Sequence, residues 1–236
     1  MENNTPKVQK ISTAQAIVVA GFLIMIGILI ARNNSVPQEP KTLSEQVGVS
    51  KDALTACIQE NITTIDELGN KITASVNSAM SAIPQGERGT PYTVVIGQNG
   101  AKGEIKGALA YEEVKGIINE VASGKVTKPY TGNVEPQNAD DHVLGNPEAV
   151  ITLIEYSDYE CPYCKQFQPT LQQIVESSNG NVKWIYRHYP LHQGSFEKLV
   201  AADCVAKIKG NDAFWAYSDL LFGLLKTSQE TVSEKL

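Results

Sequence analysis

The sequence predicts an α/β domain behind one N-terminal membrane-spanning helix. Three observations carry that expectation. Short apolar runs, YTVVIG (92–97), AVITLIEY (149–156) and VKWIYRHY (182–189), have strand character and alternate with segments whose apolar residues recur at helical spacing. Two cysteines, Cys161 and Cys164, stand in C-x-x-C spacing where the second of these runs passes into a helix. Residues 11–31 carry no charge and are almost wholly apolar, long enough for a membrane-spanning helix of roughly 20 residues and too long for a signal-peptide core of about 7–15.

The N-terminal organisation follows from that segment. LIARNNS offers no small-x-small cleavage site, so the expectation is a cytoplasmic tail (1–10), a single-pass anchor (11–31) and a tether (32–41) with two prolines. Lys7 and Lys10 precede the anchor and Arg32 and Lys41 follow it, a near-balanced count. The short tail places the domain outside the cytoplasm, at the cell membrane. The formal charge of −6 is spread along the chain, which excludes the basic face that nucleic-acid binding needs.

Next come helices. Ser50 is a candidate N-cap for a helix with Leu54, Cys57 and Ile58 on one face, and a second helix carries Ile65, Leu68, Ile72, Val76, Ala79 and Ile83. YTVVIG, QNGA and KGEIKG read as strand, turn and strand, followed by a helix with Val114, Ile117, Ile118 and Val121 inward. Residues 124–148 hold three prolines and read as a long connection. The near-continuous apolar run AVITLIEY marks a central strand covered on both faces. A helix then opens at the cysteines, with Cys164, Phe167, Leu171, Ile174 and Val175 inward and Pro169 as a kink. VKWIYRHY forms another strand, and helices over FEKLVAADCVAKI and DAFWAYSDLLFGLL follow, the latter capped by Asn211 or Asp212.

A C-x-x-C at a strand-to-helix junction is a thioredoxin-like redox signature. Free N–H groups and the positive end of the dipole at a helix start stabilise a thiolate there. Cys161 is thus the expected exposed nucleophile and Cys164 its buried partner. Pro162 suits the first turn, where no amide hydrogen is needed. Zinc is the rival, because His188 and His192 stand in H-x-x-x-H spacing downstream. The gap from Cys164 to His188 is about twice the finger spacing of roughly 12, and Pro190 separates the histidines, so no metal is assigned.

EYSDYECPYCKQFQPT together with WIYRHYPLHQGSFEKLVAADCVAKIKGNDAFWAYSDLLF resembles the DsbA-type thiol–disulfide oxidoreductases, a thioredoxin fold with a helical insertion. The parts of that fold missing after Leu236 resemble upstream segments: SEQVGVSKDALTACI resembles later insertion helices, and residues 88–121 resemble the closing Thr-Pro loop, hairpin and last helix. The resemblance therefore implies a circular permutant over 42–236, with the original termini joined through 124–148.

It also implies roles. Pro91 would be a cis proline facing the redox pair, Thr90 before it a substrate-binding residue with Pro162 and Tyr163, and Glu155 a buried proton acceptor for Cys164. Cys57 and Cys204 each sit on the apolar face of an insertion helix, and two thiols in one small subdomain of an oxidising compartment are expected to pair. The implied activity is a membrane-anchored enzyme that forms disulfides in secreted or envelope proteins, with the Cys161–Cys164 disulfide in place of a cofactor. Its partners would be reduced or misoxidised proteins and a membrane redox partner that resets the pair. A reductase or isomerase of the same fold remains open, as does a non-catalytic module that binds unfolded polypeptide.

Overall fold

The computed structural model describes residues 41–63 and 67–223. A four-residue helix, α1 (Leu43–Gln46), is closed by a capping box between Thr42 and Glu45. Helices α2 (Lys51–Thr63) and α3 (Glu67–Ala82) follow, and the Ser50 hydroxyl accepts the Ala53 N–H at the start of α2. The hairpin β1 (Tyr92–Gly97) and β2 (Lys102–Lys106) leads into α4 (Tyr111–Ser123), which ends on Gly124 in the left-handed conformation. Then come β3 (His142–Gly145), β4 (Ile151–Ser157), α5 (Pro162–Ser177), β5 (Val182–His188), α6 (Ser195–Lys209) and α7 (Asn211–Gly223).

The five strands form one mixed sheet in the order β2-β1-β4-β5-β3. β4 pairs antiparallel with β1 and parallel with β5, so the central strand joins chain segments from both halves of the sequence. Period-2 alternation along β4 splits the core. Ile154 and Tyr156 pack with Tyr92, Val94 and Ile185 against Ala79 and Ala82 of α3 and Ile83 just after it. Leu153, on the other face, joins Val95, Trp184 and Tyr186 in a larger cluster with α4, α5, α6 and α7. α5 runs without a break through Pro169.

Two readings need correction. Residues 124–148 are not connection throughout: β3 lies within them and pairs antiparallel with β5 at the sheet edge. Asn211 is the first residue of α7, one place inside the Gly210 carbonyl that accepts the first helical bond (from the Phe214 N–H, 3.2 Å), and does not cap it. Its amide accepts from the Val143 N–H at 3.1 Å and donates to the Val143 carbonyl at 2.8 Å, tying α7 to that edge strand.

The expected membrane-anchored architecture also needs correction. Residues 11–31 lie outside the described residues, and among the described residues no helix is long and apolar enough to cross a membrane. The longest, α3 and α5, have 16 residues each, fewer than the roughly 20 a span requires. The single-pass anchor, the cell-membrane location and the membrane redox partner inferred from it are not carried forward.

Candidate active site

Cys161 occupies the N-cap position of α5 in extended conformation, and Pro162 fills the first helical position. Two bonds set that turn: the Cys161 N–H donates to the Asp158 carbonyl at 3.1 Å, and the Lys165 N–H donates to the Cys161 carbonyl at 3.2 Å. Cys164, one turn on, is fully buried. Both are free thiols in this structure.

The Thr90–Pro91 peptide is cis. The Cys161 sulfur donates to the Thr90 carbonyl oxygen at 3.3 Å, so this loop covers the cysteine. The expected exposed nucleophile is therefore only 3% exposed, whereas Tyr163 beside it is 56% exposed. The sequence-based assignment missed this because the covering loop lies far away in the chain.

The two thiols differ sharply in acidity. The Cys164 thiol is the main cause that lowers the Cys161 pKa to about 6, against the effect of burial, with help from Thr90 and the backbone N–H groups of Tyr163 and Cys164. Cys164 is pushed well above the ordinary thiol range, first by burial and then by Cys161 and Glu155.

Glu155 sits in β4 directly opposite Thr93 of β1 and is fully buried. Burial raises its pKa to about 8, opposed by Ser157 and Trp184. A carboxyl group in that range is largely protonated at neutral pH and electrostatically coupled to both sulfurs.

The family model described as thioredoxin matches residues 137–235. The fold is thioredoxin-like. Among curated proteins, a stretch is 38% identical over 81 residues to the Na(+)/H(+) antiporter NhaA 1 of Salinispora arenicola, covering 34% of this chain and 12% of that protein. The Na(+)/H(+) antiporter NhaA 1 of Mycolicibacterium gilvum is 32% identical over 92 residues, 38% of this chain and 14% of that protein. The chain thus spans about an eighth of the curated relatives it matches. Among solved structures, DsbA2 of Pseudomonas aeruginosa shows 31% identity over 38% of this chain and 50% of that one, with a TM-score of 0.35. BdbD of Bacillus subtilis in its oxidised form shows 28% identity over 39% and 51%, with a TM-score of 0.33.

Cys161 and Cys164 both lie within the stretch that matches the thioredoxin family model. The family match stops short of β1, β2 and α4, yet β1 is the strand that pairs with β4 and leads out of the Thr90–Pro91 loop.

Asp158 is a site residue that sequence reading passed over. Its carboxylate accepts from the Ser195 hydroxyl, the Glu160 N–H (2.9 Å), the Leu191 N–H (2.7 Å), the His192 N–H (3.0 Å) and His192 Nδ1 (2.8 Å). Burial pushes its pKa up, but these bonds outweigh it and leave the group below the ordinary carboxylate range. The loop after β5 is thereby tied to the turn that carries Cys161. The one available signal was an acid three residues before a cysteine. Glu160, beside Cys161, is held by Lys198 at 2.6 Å.

The zinc rival separates into two unrelated places. His192 belongs to Asp158, whereas His188 meets Asp203. Cys57 and Cys204 form a disulfide between α2 and α6, apart from the free thiols of Cys161 and Cys164.

Proposed function

We propose that this chain is a protein thiol–disulfide oxidoreductase that works through Cys161 and Cys164, built as a circular permutant of a DsbA-like domain. One observation carries the reading: an acidified cysteine at a helix N-terminus, covered by a Thr-Pro loop, with a high-pKa cysteine and a protonated buried glutamate behind it. The permutation is supported by the family match over 137–235 alone, with the strand that completes the site supplied from upstream.

In the forward direction a substrate thiolate attacks the Cys161 sulfur of the oxidised pair. A substrate–Cys161 disulfide forms, the Cys161–Cys164 bond breaks, and Cys164 leaves as a thiolate. Its high pKa demands a proton, which Glu155 supplies. A second substrate thiolate then attacks the substrate sulfur and releases Cys161 as a thiolate. The substrate loses two electrons and the pair gains them; turnover requires a disulfide-bearing oxidant. A stabilised Cys161 thiolate favours the reduced pair, and hence this direction. Exposed Tyr163, Leu191 and Phe196 lie on segments next to the cysteines and offer apolar contact to an extended polypeptide.

The test is oxidation of a reduced, unfolded protein with glutathione disulfide as oxidant. The intact protein should accelerate it and Cys161→Ser should not. Equal rates for both would remove the reading.

A further inference from the structure

A second cluster of chemically capable side chains, which the redox chemistry leaves unused, joins three elements. His142 of β3 and His188 of β5 both direct Nε2 at one oxygen of Asp203 on α6, at 2.8 and 2.9 Å. All three residues are buried, and one ligating atom from each lies within 4.8 Å of the others. The His142 ring is stacked on Phe214 with centroids 3.5 Å apart, which fixes its plane.

These contacts leave Asp203 incomplete. Its second oxygen is buried without a hydrogen-bond partner among the described residues. A buried carboxylate oxygen without a donor is costly, and a cation is one means of satisfying it. A cavity of about 300 Å³, lined by Lys71, Asp140, Asp141, His142 and Asp203 among others, reaches the cluster and gives a route from solvent.

We propose that His142, His188 and Asp203 form a binding site for a divalent transition-metal ion, Zn²⁺ by ligand type, with solvent from the cavity in the fourth position. Zn–N and Zn–O bonds of about 2.0–2.2 Å in a tetrahedral site place ligand atoms a little over ~3 Å apart. The two His–Asp203 spacings, 2.8 and 2.9 Å, would therefore open by about half an ångström, and the two histidine nitrogens already lie within 4.8 Å of each other. Lys71 lines the cavity and opposes a cation. Of the two acids there, Asp141 is committed to Arg187, leaving Asp140 to offset it. The ion would tie the edge strand β3 to β5 and α6, and no electron transfer is assigned to it.

The test uses the full chain, tag-free, with Cys161→Ser and Cys164→Ser to remove competing thiolates. Titration with Co²⁺ should give visible ligand-field bands without a sulfur-to-metal charge-transfer band, and one equivalent of Zn²⁺ should abolish them. His142→Gln should weaken Zn²⁺ binding by more than the roughly 10–100-fold typical of losing an outer-shell partner. Circular dichroism checks that this variant folds; Asp203→Asn replaces it if it does not. Absence of the Co²⁺ spectrum, or Zn²⁺ affinity unchanged in the folded variant, would overturn the site and leave a buried His–Asp–His hydrogen-bond cluster. Neither result bears on disulfide exchange at Cys161.

Discussion

The Cys161 sulfur lies 3.3 Å from the carbonyl oxygen of Thr90, a contact across 71 positions of sequence. It joins the N-terminus of α5 to the loop before β1. Neither segment makes the site alone, because β1 and β4 must pair before the two meet.

The first prediction concerns thiol acidity. Alkylation of the reduced protein should label Cys161 with an apparent midpoint near its pKa of about 6, while Cys164 stays unlabelled well above neutral pH. Iodoacetamide labelling followed by peptide mapping across pH 4–9 measures both. Labelling of the two cysteines together would contradict the assigned asymmetry.

Glu155 gives a pH signature. Its folded pKa is raised from 4.5 to about 8, so the folded state holds the proton more tightly. Stability must then fall as pH rises between those values, by up to about 5 kcal/mol at about 1.4 kcal/mol per pKa unit. Glu155→Gln mimics the protonated group and should flatten that slope. It should also slow the release of Cys164 from the mixed disulfide. Urea unfolding at pH 5 and pH 8 checks the first effect; an unchanged slope would mean that Glu155 is not the titrating group.

Much of this was legible in the sequence, and the failures have physical causes. The β1–β2 hairpin, α4 and the inward face of α5 follow from apolar periodicity, which local spacing records. β3 was missed because HVLG is too short to show a period and becomes a strand only by pairing with β5. The chemistry of Cys161 follows from its place at a helix start, but its burial depends on Thr90. The Asp158 and Asp203 clusters were invisible because their partners come from distant segments. A lone acid in sequence looks like any surface acid.

The disulfide between Cys57 and Cys204 closes a loop with a sequence separation of 147. Replacing both by alanine should cost about 2–5 kcal/mol and leave the alkylation profile of Cys161 unaltered. Chemical denaturation of the double variant measures the loss. Stability equal to that of the parent would show that this bridge contributes nothing to the folded state.

Arg187 anchors the segment before β3. Its guanidinium donates to Asp141 at 2.9 and 2.8 Å, to the carbonyls of Glu135 and Pro136, and to the hydroxyls of Ser78 and Tyr156. Arg187→Met would leave Asp141, also buried, without its counter-charge. The expected destabilisation is about 3–5 kcal/mol. Restoration of stability by adding Asp141→Leu would identify the stranded charge as the cause; no recovery would assign the loss to the other bonds.

The most direct test of the account is the redox equilibrium of the Cys161–Cys164 pair in glutathione buffers at pH 7. A thiolate stabilised at Cys161 favours the reduced state, so the pair should equilibrate in one two-electron step with a potential above thioredoxin's, about −270 mV. A potential at or below that value, or a failure of the two sulfurs to form a disulfide, would contradict it.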